Sequence, residues 1–174
     1  SRTTSKACVP IEPVDPNIAS LRFINFKELI ILFCLIRKSY ILADITEITP
    51  PHFEEGPWLH KRGDTYYLTY ASLDRSTHTD ERISYATASS IQGPWTYRGE
   101  LTGSGKNSFT IHPGIAEFKG QWYIFLHNAA LTIGDQEGAL GRRAVTVEYL
   151  QYNDDGTLKP VVQTEEGVSV PPTR

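Results

Sequence analysis

From residue 52 onward, apolar and polar positions alternate in short runs separated by turn residues. Residues 58–60 and 65–70 predict a hairpin around Arg62-Gly63-Asp64. Residues 82–86 predict a short strand, and Gly93-Pro94 a turn into residues 95–98. Residues 115–118 and 121–126 predict a second hairpin around Lys119-Gly120. Residues 143–152 predict a long strand, which Asn153-Asp154-Asp155-Gly156 turns into residues 157–158. No helix is predicted after residue 50. Upstream the texture differs. Residues 1–20 are polar and broken by Pro10, Pro13 and Pro16. Residues 21–46 are aliphatic with no turn residues and no clean alternation, a pattern that fits one helix or two buried strands equally.

The regular part repeats itself. Pro57, Leu59, Tyr66 and Tyr67 recur as Pro113, Ile115, Trp122 and Tyr123, each 56 residues later. Four short antiparallel strands per unit, repeated at roughly 40 to 60 residues, is the signature of propeller blades. The predicted fold is all-β, with residues 52–160 forming about two blades. Two blades do not close a ring and leave apolar faces and edges open. Either residues 1–50 cover that side or the chain is a piece of something larger.

Composition narrows the function classes. At 174 residues one domain is expected. The 17 Lys and Arg nearly balance the 20 Asp and Glu, with no like-charged block, so neither nucleic acid nor a membrane surface is an expected partner. The longest apolar run, residues 29–36, is far short of the roughly 20 residues that span a bilayer. Nine Tyr, seven Phe and three Trp suit flat stacking surfaces such as those that hold sugar rings, although most aromatics in β proteins are core. Cys8 and Cys34 could pair, but Cys34 lies in an apolar run and reads as a buried thiol. The sequence has no initiator Met and no signal peptide, which leaves secreted and cytoplasmic locations both open.

The candidate chemistry centres on Glu54-Glu55-Gly56-Pro57-Trp58. Two adjacent carboxylates precede a Gly-Pro break that fixes how the chain enters the following strand. Taken alone, such a pair is more often a solvated strand entry than a catalytic acid.

The wider context changes that balance. Glu54-Glu55-Gly56-Pro57-Trp58-Leu59-His60-Lys61-Arg62, Tyr66-Tyr67-Leu68-Thr69-Tyr70 and Gly93-Pro94-Trp95-Thr96-Tyr97-Arg98-Gly99 resemble the C-terminal half of glycoside hydrolase family 43. So do Ser108-Phe109-Thr110-Ile111-His112-Pro113-Gly114-Ile115, Trp122-Tyr123 with His127-Asn128, Arg142-Arg143, and Glu148-Tyr149-Leu150 leading to Tyr152-Asn153-Asp154-Asp155-Gly156-Thr157. The segments stand in family order and cover about residues 50–170. The resemblance implies a partial five-bladed β-propeller of about two to three four-stranded antiparallel blades. Residues 51–174 would be C-terminal blades, and residues 1–50 an atypical segment or the remnant of an upstream blade. The implied reaction is inverting hydrolysis that removes xylose or arabinofuranose from plant cell-wall xylan or arabinan.

Site roles follow from the resemblance position by position. Glu55 would be the general acid, which requires a raised pKa. Glu54, pointing to the opposite face of a strand, would be structural. His112 resembles the family histidine near the propeller axis. The reaction requires no cofactor, but a structural calcium or sodium ion is expected near His112. One of Arg142 and Arg143 would contact substrate, and alternation admits only one. His127 and Asn128 fit the same rim. Trp58 is a sugar-stacking candidate, although Trp58 and Trp122 occupy repeated blade positions where core packing is commoner.

The second carboxylate of an inverting pair belongs to upstream blades in this family. Asp15, in Val14-Asp15-Pro16, resembles the segment carrying the acid's modulator and nearly as well the one carrying the base. It lies 40 residues before Glu55, shorter than the resemblance implies for the modulator and far too short for the base, and the aromatic strand expected after it is replaced by the aliphatic residues 21–46. Two readings follow. One is a family 43 type glycosidase with Glu55 and Asp15 as its catalytic carboxylates. The other is a truncated, catalytically silent propeller fragment that binds carbohydrate or has no independent function. A propeller interaction module unrelated to sugars is disfavoured only by the ordered motifs.

Overall fold

The computed structural model describes residues 46–171 and two short upstream strands. Those strands, β1 (Leu21–Phe23) and β2 (Leu29–Ile30), form a small sheet with β3 (Thr46–Glu47), in the order β2-β1-β3 with β1 and β3 parallel. The aliphatic stretch thus shows strands at its ends, and its middle lies outside the described residues, as do Cys8, Asp15 and Cys34. Among the described residues no helix is long and apolar enough to cross a membrane.

Two larger sheets, antiparallel throughout, follow. The first has β4 (Phe53–Arg62), β5 (Thr65–Ser72), β6 (Arg82–Ala88) and β7 (Thr96–Thr102) in sequence order. The second has β8 (Gly114–Phe118), β9 (Gln121–Asn128) and β10 (Ala144–Leu150), also in sequence order. Each sheet begins with a two-residue hairpin whose turn suits its residues. Gly63 has a φ of +57° at the first turn position, the place where a II′ turn wants glycine. Lys119 and Gly120 both have positive φ, the pattern of a I′ turn.

The 56-residue sequence repeat is also a repeat of register. Leu59 pairs with Leu68 and Lys61 with Tyr66, just as Ile115 pairs with Ile124 and Glu117 with Trp122. The repeat then breaks, because the second sheet joins its middle and third strands through residues 129–143 where the first uses residues 73–81. Four strands were expected in each blade, but the second sheet has three. Past β10 the chain makes a single bridge between Tyr152 and Leu158 and then leaves for the other sheet, where Val161 N–H donates to the Leu101 carbonyl.

Alternation along each strand fixes what the sheets bury. Tyr67, Ile83, Tyr85 and Leu101 of the first sheet pack against Ile115, Ile124, Leu126 and Leu150 of the second, forming the main core with Ile111, Leu158 and Val161. Each such side chain contributes about 1.5–3 kcal/mol when fully buried. On the other face of the first sheet, Tyr66, Leu68 and Tyr70 pack with Ile48 and Ile91. Strand β5 is therefore buried on both faces, which is why its sequence reads as a continuous apolar-aromatic run. The far face of the second sheet is different: Phe125 is 40% exposed and Val145 72%.

Candidate functional site

The two large sheets meet at Glu55 and His112. Strand β4 carries Glu55, although Gly-Pro in the sequence suggests that the strand starts only afterwards. The structure keeps residues 53–62 in one strand and absorbs Gly56-Pro57 as irregularities, with register shifts between Phe53 and Glu55 and between Glu55 and Trp58. Such shifts re-aim side chains. Glu54 accepts a 2.8 Å bond from Arg75, whereas Oε1 of Glu55 lies 2.9 Å from His112 Nε2. Both Glu55 and His112 remain partly open to solvent.

Gly56 makes room for this contact. Its φ is +57°, and a Cβ placed there would lie 3.0 Å from Cδ2 and Cγ of the His112 ring. His112 in turn meets His127 edge-on, with ring centroids 5.3 Å apart and an interplanar angle of 75°. His127 Nε2 lies 3.3 Å from Thr110 Oγ1. Burial holds the His127 pKa below its ordinary value, and Arg143 and His112 press it down further.

A third group, Glu81, belongs to the same cluster. Its acceptor atoms and those of Glu55 and His112 all lie within 4.8 Å of one another. Glu81 is only 5% exposed and accepts a 3.1 Å bond from the Ile111 N–H. Burial raises its pKa and the Glu55 charge adds to that, opposed by the Ile111 bond and by His112. Sequence reading passes over it inside the polar run Asp80-Glu81-Arg82. One signal was available: Glu81 is in phase with Ile83 and Tyr85, so alternation places an acid on the face that packs the core.

The remaining candidates separate. Arg143 acts electrostatically on His127, whereas Arg142 donates to Gln136 within its own loop at 3.2 Å. Asn128 caps that loop by accepting from the Ala130 N–H. Trp58 donates its indole N–H to the Ile115 carbonyl at 3.0 Å, linking the first strands of the two sheets. Trp122 lies in the aromatic cluster of His60, Tyr67 and Tyr152, away from Glu55. Two carboxylates and an imidazole nitrogen converge closely enough to hold a metal ion, with water in its other positions.

Comparison with known proteins bears on the same region. A family model described as glycosyl hydrolases family 43 matches residues 35–158. The chain is similar to a xylosidase/arabinosidase of Bacteroides ovatus, 35% identical over 118 residues that make up 68% of this chain and 33% of that protein. It is also similar to a beta-xylosidase of Xylanibacter ruminicola, 32% identical over 112 residues, covering 64% and 32%. Among solved structures, a GH43_1 enzyme from Xanthomonas citri aligns with a TM-score of 0.53 at 36% identity, over 63% of this chain and 30% of that one. An arabinoxylan arabinofuranohydrolase from Bacillus subtilis, solved with cellotetraose, aligns with a TM-score of 0.56 at 29% identity, over 72% and 28%. The chain spans about a third of the length of the curated relatives it matches.

Proposed function

Because the chain belongs to glycosyl hydrolase family 43, we propose that it carries the acid side of a glycosidase site acting on xylose or arabinofuranose units of plant cell-wall xylan and arabinan. Relatives named xylosidase, arabinosidase and arabinoxylan arabinofuranohydrolase support that substrate class. The observation that carries the reading is the contact of Glu55 with His112, where the two sheets meet inside the matched region. The sheets are read as consecutive blades of a five-bladed propeller. The open Phe125 and Val145 face of the second sheet is where a further blade would pack.

In this reading Glu55 protonates the leaving glycosidic oxygen, and His112 holds its carboxyl in place. Arg143, on the side of His127, is the arginine that faces the sugar. Glu54 is occupied by Arg75 and takes no part. A calcium or sodium ion beside His112, with Glu81 and Glu55 as neighbours, would add positive charge that orients water and sugar hydroxyls. Asp15, proposed as the modulator of the acid, lies outside the described residues.

The test is hydrolysis of xylobiose, or release of arabinose from arabinoxylan, by the chain and by its Glu55→Gln variant. Turnover by the chain that collapses in the variant supports the reading, and turnover that survives refutes it. The span of about a third of its relatives favours a second reading, a silent fragment. Xylan binding without any hydrolysis would support that one.

A further inference from the structure

Apart from its place beside the proposed cation, Glu81 takes no part in the acid chemistry above, yet it is the most buried charged group of the cluster. Its backbone N–H donates to the Phe109 carbonyl at 3.0 Å, and its side chain accepts from the Ile111 N–H at 3.1 Å. These two bonds straddle residue 110. A parallel β-bridge has the same pattern, except that its second acceptor would be the backbone carbonyl of residue 81. Here the carboxylate takes that place.

The clamp ends one residue before His112. Ile111 is anchored in the main core, and the His112 ring rests against Gly56 with its Nε2 on Glu55. Residues 109–112 belong to no strand, so no ladder hydrogen bond fixes their height against β4. The Glu81 bonds supply that restraint.

We propose that Glu81 is the positioning residue of this site: it clamps residues 109–111 to the start of β6 and so holds His112 against Gly56 and Glu55. The inference deepens the glycosidase reading but depends only on geometry. Losing the carboxylate would leave the Ile111 N–H without its acceptor, and the segment would shift to recover one. Glutamine keeps an acceptor oxygen at the same reach, so Glu81→Gln preserves the clamp and Glu81→Ala removes it.

The experiment is NMR on the full chain in chelator-treated buffer, so that no bound cation contributes to holding His112. The readout is the nuclear Overhauser contact between the Gly56 Hα protons and His112 Hδ2. Contacts between the Leu59 and Leu68 side chains serve as a control for the sheet. The expected result is a Gly56–His112 contact in the wild type and in Glu81→Gln, and its loss in Glu81→Ala with the control intact. Retention of the contact in Glu81→Ala overturns the proposal. So does its loss in Glu81→Gln with the control intact, because that variant keeps the acceptor. Neither result depends on turnover, so failure here is distinguishable from failure of Glu55 as the acid. Should Glu81→Ala not fold, Glu81→Thr shortens the side chain out of reach of Ile111 and gives the same readout.

Discussion

Gly56 and His112 touch across the junction of the two sheets, so closely that a methyl group on the glycine would meet the imidazole at 3.0 Å. The contact joins a strand irregularity in β4 to the segment before β8. It explains why the residue after the candidate acid has no side chain.

Substituting Gly56 by Ala should therefore act in two ways. A left-handed backbone costs a non-glycine residue about 1–2 kcal/mol, and the added methyl pushes His112 off Glu55. The melting temperature should fall by about 2–8 °C. A thermal scan of Gly56→Ala checks this, and an unchanged transition would show that the strand accommodates the methyl freely.

His60 predicts acid sensitivity. Its ring stacks on Tyr67 at 4.8 Å, its Nε2 meets the Tyr152 hydroxyl at 2.9 Å, and its buried Nδ1 has no hydrogen-bond partner among the described residues. Burial lowers its pKa from 6.5 to about 4. With the folded pKa below the unfolded one, the unfolded chain binds more protons between those two values, so stability falls as pH drops from about 6.5 towards 4. The loss is on the order of 3 kcal/mol. Urea midpoints at pH 7 and 4.5 should separate in the wild type and converge in His60→Phe.

Tyr85 ties the tail to the first sheet by accepting from the buried Leu158 N–H at 3.1 Å. Tyr85→Phe leaves that donor unsatisfied and should cost about 1–3 kcal/mol. Chemical denaturation measures it, and hydrogen exchange at Leu158 should speed up in the variant.

Lys119 sits at φ +52° in the second hairpin turn, where asparagine is preferred. Lys119→Asn should raise stability by a few tenths of a kcal/mol, seen as a higher urea midpoint, because relief of the backbone outweighs losing the ammonium from the Phe118 ring at 5.1 Å.

Much of this fold was legible in the chain. Both hairpins announced themselves through Gly63 and Gly120 flanked by alternating residues, and the 56-residue recurrence of Tyr67 as Tyr123 marked equivalent register positions. The start of β4 was not legible, because Gly-Pro reads as a break and only tertiary pairing shows that the strand carries it as an irregularity. The fourth strand of the second sheet failed for a related reason: local turn chemistry at residues 153–156 fits a hairpin, but after Leu158 the chain pairs with Leu101 instead. At the site, ordered motifs pointed to Glu55 and His112, which the structure brings together. They did not point to Glu81, whose importance lies in burial, a property that a run of polar neighbours conceals.

The most direct test compares leaving groups. A general acid matters most when the departing oxygen is a poor leaving group. Glu55→Gln should lower xylobiose hydrolysis by about 100- to 10,000-fold and hydrolysis of 4-nitrophenyl xyloside far less, since nitrophenolate departs without a proton. An equal fall on both substrates, or no fall on xylobiose, would contradict Glu55 as the acid.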